Sequence, residues 1–184
     1  MKLLFLSDIH GSAYYMSEMM QAIKREKPDQ IVLLGDALYH GPRNPLPKDY
    51  DPKQVVEMLN SLKNKIIAVR GNCDSEVDQM LIEYPMLADY GVLYIEGKRC
   101  FISHGHLFNG GEALNFQKGD IYIQGHTHIP KLEWREGILK LNPGSVSLPK
   151  QNTEHSYAII EKAKFILKNL DGRVIESIGL DDEQ

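Results

Sequence analysis

The chain has 184 residues, 42% of them hydrophobic and 25% charged, which suits a single globular domain with a substantial core. A net charge of −4 and a pI of about 6.0 exclude a broad basic footprint for nucleic acid, so a polyanionic partner would need a local positive centre. No apolar run is long enough to span a membrane, and the two cysteines, Cys73 and Cys100, form neither a zinc pattern nor a disulfide framework.

The apolar start, Met1 to Leu6, is cut off by Ser7-Asp8-Ile9-His10, too early for the core of a signal peptide. With two unpaired cysteines, this leads us to expect a cytoplasmic protein. Residues 2–6 read as a buried strand. Ser12 can cap the following helix, in which Met16, Met19, Met20 and Ile23 recur on one face. Residues 30–34 form a second strand, ending at Gly35-Asp36, and a proline-rich polar loop follows. Asp51-Pro52 opens a second helix with a capping carboxylate and Pro at its first position, and Val55, Val56, Leu59 and Leu62 form its stripe. Residues 65–69 are a third strand, ending at Arg70-Gly71-Asn72-Cys73-Asp74, and a short helix is expected over 75–81.

The order strand–helix–strand–helix–strand implies parallel pairing. After Met86 the style changes. Residues 92–95 and 99–103 flank Glu96-Gly97-Lys98, a hairpin-like turn, and the second of them ends at His104-Gly105-His106. Gly110-Gly111 marks a flexible loop. Residues 120–124 lead through Gly125 into His126 and His128. Further strands are expected over 131–135, 138–141, 156–161, 165–170 and 173–178, joined by turns such as Glu136-Gly137 and Asp171-Gly172 that favour antiparallel pairing. Two sheets packed face to face, with helices outside, would bury both kinds of strand. The acidic tail, Asp181 to Gln184, is expected to fray.

Five strand ends carry the polar chemistry: Asp8 with His10, Asp36, Asn72, His104 with His106, and His126 with His128, using five of the seven histidines. Taken singly, each has a plain reading as a helix cap, an Asx turn or a surface loop residue. Together, each directly after an apolar run, they are hard to explain by capping. In open α/β sheets ligands bind at the carboxyl ends of the strands. The set is carboxylate, imidazole and amide with no thiolate, which suits Mn, Fe, Zn, Ni or Co in an open site. Seven ligands are too many for one ion, so two ions sharing Asp36 is the economical reading. Such a pair can clamp both the attacking and the leaving oxygen of a phosphoryl displacement. Four positive charges against Asp8, Asp36 and a bridging hydroxide leave the site about one charge positive, a trap for a phosphate ester in an acidic protein.

In this order, Asp8-Ile9-His10, Gly35-Asp36, Gly71-Asn72-Cys73-Asp74, His104-Gly105 and Gly125-His126-Thr127-His128 resemble the motifs of the calcineurin-like metallophosphoesterase superfamily. The stretches HGPRNP, RGNCDSEVDQML, SHGHLF, GHTH and NPGSVS are similar to those of its small bacterial YfcE-type phosphodiesterases. The resemblance covers residues 2–150. It implies a four-layer α/β/β/α sandwich in the α/β class, with two mixed sheets flanked by helices. It further implies that Asp8, His10 and His128 hold one metal, that Asn72, His104 and His126 hold the other, and that Asp36 bridges them. Manganese is the expected ion, and a metal-bound hydroxide attacks phosphorus in line. By the same resemblance Asp36, Asn72 and His104 are the catalytic residues, while Arg70, Cys73 and His106 are candidates for substrate contact. Many members of the superfamily carry a leaving-group histidine where this chain has Cys73, a cysteine that the YfcE type shares. Cys100 reads as buried filler.

The expected partner is a small phosphodiester, and a homo-oligomer is compatible with the sequence. Two other functions compete: a phosphomonoesterase, and a non-catalytic scaffold such as the coat-complex subunits of similar fold in eukaryotic retromer. Scaffold relatives tend to have lost some ligands, whereas all seven are present here.

Overall fold

The computed structural model describes residues 1–108 and 114–182. Its strands and helices in chain order are β1 (Leu3–Leu6), α1 (Ala13–Glu26), β2 (Gln30–Leu33), α2 (Pro52–Ser61), β3 (Ile66–Ala68), α3 (Glu76–Gln79), β4 (Tyr90–Ile95), β5 (Lys98–Ser103), β6 (Ile121–Ile123), β7 (Lys131–Arg135), β8 (Ile138–Asn142), β9 (Ser156–Glu161), β10 (Lys164–Asn169) and β11 (Val174–Gly179). The caps form as their residue types dictate. Ser12 accepts the backbone N–H of Tyr15, Asp51 accepts that of Gln54 with Pro52 at the helix start, and Ser75 with Asp78 makes a capping box.

The strands form a six-stranded sheet, β11-β10-β9-β1-β2-β3, and a five-stranded sheet, β4-β5-β6-β8-β7. Strands β1, β2 and β3 pair in parallel, while β9, β10 and β11 add on antiparallel. Alternation divides the first strands between two cores. Leu4, Leu6, Ile31 and Leu33 face Met16, Met19, Ile23, Val55 and Leu59 of the helices. Leu3, Phe5, Val32 and Leu34 face Ile102, Ile121, Ile123 and Leu139 of the second sheet. The two packed mixed sheets are therefore those expected from sequence. Helices α1 and α2 cover the outer face of the six-stranded sheet. On the outer face of the five-stranded sheet, Phe116 from the β5–β6 connection packs on Phe101 and Tyr122 at ring distances of 5.2 and 5.3 Å.

The short turns of the second half deliver the antiparallel pairs they pointed to, β7–β8 and β10–β11, while β6, whose pairing the sequence left open, pairs in parallel with both β5 and β8. The long connection of residues 104–120 returns the chain to the same end of the sheet before β6 begins. Hairpin β7–β8 then places β8, not β7, beside β6. Parallel β5 and β6 deliver His104 and Gly125 to the same sheet end, where the Gly125 N–H donates to the His104 carbonyl at 3.1 Å. Gly110-Gly111 and the last two residues of the tail lie outside the described residues. No helix among those described is long and apolar enough to cross a membrane.

Candidate metal centre

The carboxyl ends of β1, β2, β3, β5 and β6 meet at one end of the two sheets. Backbone bonds join the loops: Asp8 N–H to the Gly35 carbonyl at 3.1 Å, His10 N–H to the Asp36 carbonyl at 3.0 Å, and Val146 N–H to the Ser7 carbonyl at 3.0 Å. The approach is so close that a Cβ on Gly71 would sit 2.0 Å from Asp36 Oδ1, and one on Gly125 would sit 1.9 Å from Ser7 Oγ. Only glycine fits either place. Asp74, buried behind the loops, ties two of them together, its carboxylate accepting backbone N–H bonds from Asp36 (2.8 Å), Ala37 (2.9 Å) and Gly71 (2.7 Å). Burial and the neighbouring Asp36 charge push its pKa up to about 6, against the pull of those three bonds. Ser145 and Ser147 donate to the Asp8 carbonyl at 2.8 and 3.2 Å, and Asn142 donates to the Gly125 carbonyl at 2.7 Å. The sequence reading assigned none of these four residues a role. The sequence signal for them was Asp74 inside the Gly-Asn-Cys-Asp stretch and the polar run of NPGSVS.

Three of the four expected ligand imidazoles are each oriented by a carbonyl. Nδ1 of His10 contacts the Tyr39 carbonyl at 2.8 Å, that of His128 the Leu148 carbonyl at 2.6 Å, and that of His104 the Leu34 carbonyl at 2.6 Å. A carbonyl only accepts, so Nδ1 carries the proton and the Nε2 lone pair faces the site in the neutral ring. His10 and His128 oppose their Nε2 atoms at 3.2 Å, and Asp8 Oδ1 lies 3.5 and 3.2 Å from them. That oxygen is buried without a hydrogen-bond partner among the described residues, while Asp8 Oδ2 accepts from Ser7 Oγ (2.6 Å) and from the His126 N–H (3.1 Å). Asp36 Oδ2 lies between the two histidine sets, 3.7 Å from His10 Nε2 and 3.4 Å from His104 Nε2, its Oδ1 being held by the Cys73 N–H at 2.8 Å. Asn72 Oδ1 is 3.2 Å from His104 Nε2.

These are electron pairs facing electron pairs, an arrangement that needs a positive charge between them. The spacings of 3.2–3.7 Å are those of neighbouring ligand atoms around an ion bound at about 2.0–2.2 Å. The residues present thus fit a divalent cation. Protons are the competitor. Burial lowers the His104 pKa, but its contacts with Asp36 and Asp8 outweigh that and carry it up to about 9. His10 is raised in the same way by Asp8, against burial. Burial likewise opposes ionisation of Asp8, yet His10, His128 and His104 hold its carboxyl well below the usual range.

Of the seven expected ligands, Asp8, His10, Asp36, His104 and His128 fall into groups of three whose donor atoms lie within 4.8 Å of one another. Asn72 joins through His104. His126 stands beside His104, with ring centres 5.0 Å apart, outside those tight groups. Among the substrate-contact candidates, His106 packs on His104 and His126 at 5.4 and 6.2 Å, and burial and those two rings lower its pKa. Arg70 turns away into an ion pair with Asp89 at 2.6 Å. Cys73 joins His10 and Asp36 in one of the groups of three, its Sγ accepting from the Asn72 side-chain amide at 3.2 Å. Burial first, then the Asp36 charge, push its thiol up to about 12, so it keeps its proton. A cavity of about 410 Å³ opens over the site. It is lined by Asp36, Asn72, His126 and His128, by Arg43 and Asn44 of the HGPRNP stretch, by Thr127 of GHTH, and by Lys150, to which the sequence assigned no role.

A fold of two mixed sheets with such a donor set at their carboxyl ends defines a metal-dependent phosphoesterase, and comparison with known proteins agrees. Residues 1–164 match the model of the calcineurin-like phosphoesterase superfamily domain, and the chain belongs to that superfamily. Within it the chain is of the YfcE type, being 43% identical over 183 residues to the phosphodiesterase YfcE of Escherichia coli, with 100% of this chain and 94% of that protein covered. The probable metallophosphoesterase YsnB of Bacillus subtilis is 27% identical over 170 residues, covering 87% of this chain and 83% of that one. A solved structure of the E. coli phosphoesterase YfcE superposes with a TM-score of 0.94 at 44% identity, covering 98% of this chain and 100% of that one. Vps29 of Entamoeba histolytica, solved in complex with zinc, superposes at 0.68 over 98% of this chain and 100% of its own, and at 20% identity it shows the fold alone.

Proposed function

We propose that the chain is a phosphodiesterase that holds two divalent cations, one among Asp8, His10 and His128 and one beside Asn72, His104 and His126, with Asp36 shared. It cleaves small phosphodiesters by in-line displacement at phosphorus. The observation that carries this reading is the unpartnered Asp8 Oδ1, buried and facing the Nε2 atoms of His10 and His128, with Asp36 Oδ2 lying between His10 and His104. The likeness to YfcE over the whole chain supports it. When bound, the cations would activate water and neutralise charge on the phosphate. The mixed carboxylate, amide and imidazole donors, without thiolate in the main set, are compatible with manganese, iron, zinc, nickel or cobalt, and manganese is the ion we propose.

The chain's own residues do the positioning. Three backbone carbonyls keep His10, His104 and His128 in one tautomer. The Cys73 N–H holds Asp36 Oδ1, so that Oδ2 stays turned to the centre. Without metal, burial and the Asp36 charge favour the neutral Cys73 thiol. It is a weak donor, which favours diesters whose leaving group departs without a proton. The free thiols Cys73 and Cys100 accord with a reducing, cytoplasmic setting.

Chelator-stripped protein should hydrolyse an aryl phosphodiester only after Mn²⁺ is restored, and faster than the matching monoester. Asp36→Asn should cut the Mn²⁺-dependent rate by more than about a hundredfold, since it removes the shared charge. Full activity of Asp36→Asn at saturating Mn²⁺ would sink the shared-ligand reading. An inert wild type would favour the scaffold alternative.

A further inference from the structure

Two cations on the rim of the metal cavity have no side-chain partner among the described residues. Arg43 comes from the β2–α2 loop and Lys150 from the β8–β9 connection, and both line the cavity. Both are exposed, and neither side chain has an ion pair or a hydrogen bond with a described residue. Elsewhere on the surface Arg70, Arg99 and Arg173 are paired with Asp89, Asp120 and Glu154. Around this cavity Asp36 is the sole carboxylate among the described lining residues, and it belongs to the metal centre.

The backbones beneath the two free side chains are anchored. The Lys150 N–H donates to the His128 carbonyl at 3.2 Å, and its own carbonyl accepts from Thr153 Oγ1 at 2.7 Å. Next to Arg43, the Asn44 amide donates to the His40 carbonyl at 2.8 Å. Thr127, lining the same cavity, already accepts N–H bonds at Oγ1 from Ile129 (3.3 Å) and Asn142 (3.0 Å), so its hydroxyl proton is left to donate.

Charge fixes what this rim is for. Two divalent cations, Asp8, Asp36 and an attacking hydroxide sum to about one positive charge, which a single diester anion neutralises. Arg43 and Lys150 then remain as about two further positive charges facing the same space. We infer that the preferred substrates carry a second phosphate group on one arm of the diester, held by Arg43 and Lys150 with Thr127 as a further donor. Arg offers a planar fork and Lys a compact ammonium, a combination suited to a terminal phosphate. The inference rests on the phosphodiesterase reading above and adds the class of substrate.

The test compares two aryl phosphodiesters with the same leaving group, one with a plain alkyl arm and one whose arm ends in phosphate. With Mn²⁺, wild-type kcat/KM should favour the tailed ester by about tenfold or more, and Arg43→Gln and Lys150→Met should each remove most of that ratio. The wild-type advantage should also shrink as salt is raised, and in the variants it should do so less. A second arm does not depend on turnover: calorimetry with phosphonate analogues of both esters, in which a methylene replaces the scissile oxygen. The tailed analogue should bind about tenfold tighter to wild type, and less so to Lys150→Met. Hydrolysis of both esters at equal kcat/KM, or a ratio that neither substitution moves, overturns the inference and leaves the phosphodiesterase reading intact. If neither ester is cleaved but the tailed analogue keeps its Lys150-dependent advantage, the anion site stands and the hydrolytic reading fails.

Discussion

Five of the expected ligands, Asp8, His10, Asp36, His126 and His128, sit at positive φ between 49° and 68°. Residues other than glycine are uncommon in that region, Asp and His enter it more readily than most, and eight further non-glycine residues of the described fold do so outside this set. The motif residues were legible because each follows an apolar run. Their conformations were not, since strand alternation says nothing about the residue after the strand. Arg70 illustrates a second gap. Its place beside the Gly-Asn stretch suggested substrate contact, but its partner Asp89 is 19 residues away, and only the fold brings them to 2.6 Å. Arg43 was visible only as part of the HGPRNP stretch, with no role of its own, and Lys150 not at all, because exposed cations in polar loops follow no period. Two predictions belong at this scale. His128→Ala should lower bound manganese, measured by elemental analysis, whereas His106→Ala should keep its metal and change turnover; equal metal loss in both would mean the histidines are misassigned. Asp74→Ala leaves three buried backbone N–H groups without their acceptor and should destabilise the metal-free protein by about 3 kcal/mol or more in urea unfolding. A loss below about 1 kcal/mol would show that water replaces the carboxylate.

Most strands were readable to within a residue or two, from short apolar runs bounded by glycine and charged turns. Strands β7 and β9 fall on their expected residues. The pairing was less readable. A three-residue strand such as β6, buried throughout, looks the same whether its neighbours run parallel or antiparallel. The length of the preceding connection decides, and the sequence of that connection does not say at which end of the sheet it delivers the chain. The short α3 also differs, ending at Gln79 where the apolar residues run on to Leu81. At the other end of the fold, helix α1 is locked to the six-stranded sheet by a group the sequence did not reveal. Glu26 accepts from Lys168 Nζ (2.7 Å), Tyr157 Oη (2.9 Å) and Lys2 Nζ (3.2 Å), which join α1 to β10, β9 and the start of β1. Burial opposes its ionisation, but these three partners prevail and hold its carboxyl below the ordinary value of 4.5. A depressed folded pKa contributes stability that is present above the unfolded value and is lost as pH falls through the folded one. Wild type should therefore exceed Glu26→Gln in unfolding free energy at neutral pH, and the gap should close as pH is lowered below about 4.5. A gap that stays constant down to pH 3 would show that the carboxylate's charge is not what locks the helix.

Across the whole molecule, two sheets share one apolar core and bring their polar residues to a common end. The six-stranded sheet supplies Asp8, His10, Asp36 and Asn72, and the five-stranded sheet supplies His104, His126 and His128. Neither sheet holds a complete donor set, so the packing of Phe5, Leu34 and Val32 against Ile102, Ile121 and Ile123 is also what assembles the metal centre. The sequence showed both halves of the ligand set but not how closely they meet, because that distance is set by sheet-on-sheet packing. The most direct test of the account is a crystal of the protein grown with Mn²⁺ and measured at the manganese absorption edge. The account predicts two anomalous peaks per chain, one against Asp8, His10 and His128 and one against Asn72, His104 and His126, with Asp36 touching both. A single peak in the fully loaded crystal, or two peaks of which only one touches Asp36, would contradict it.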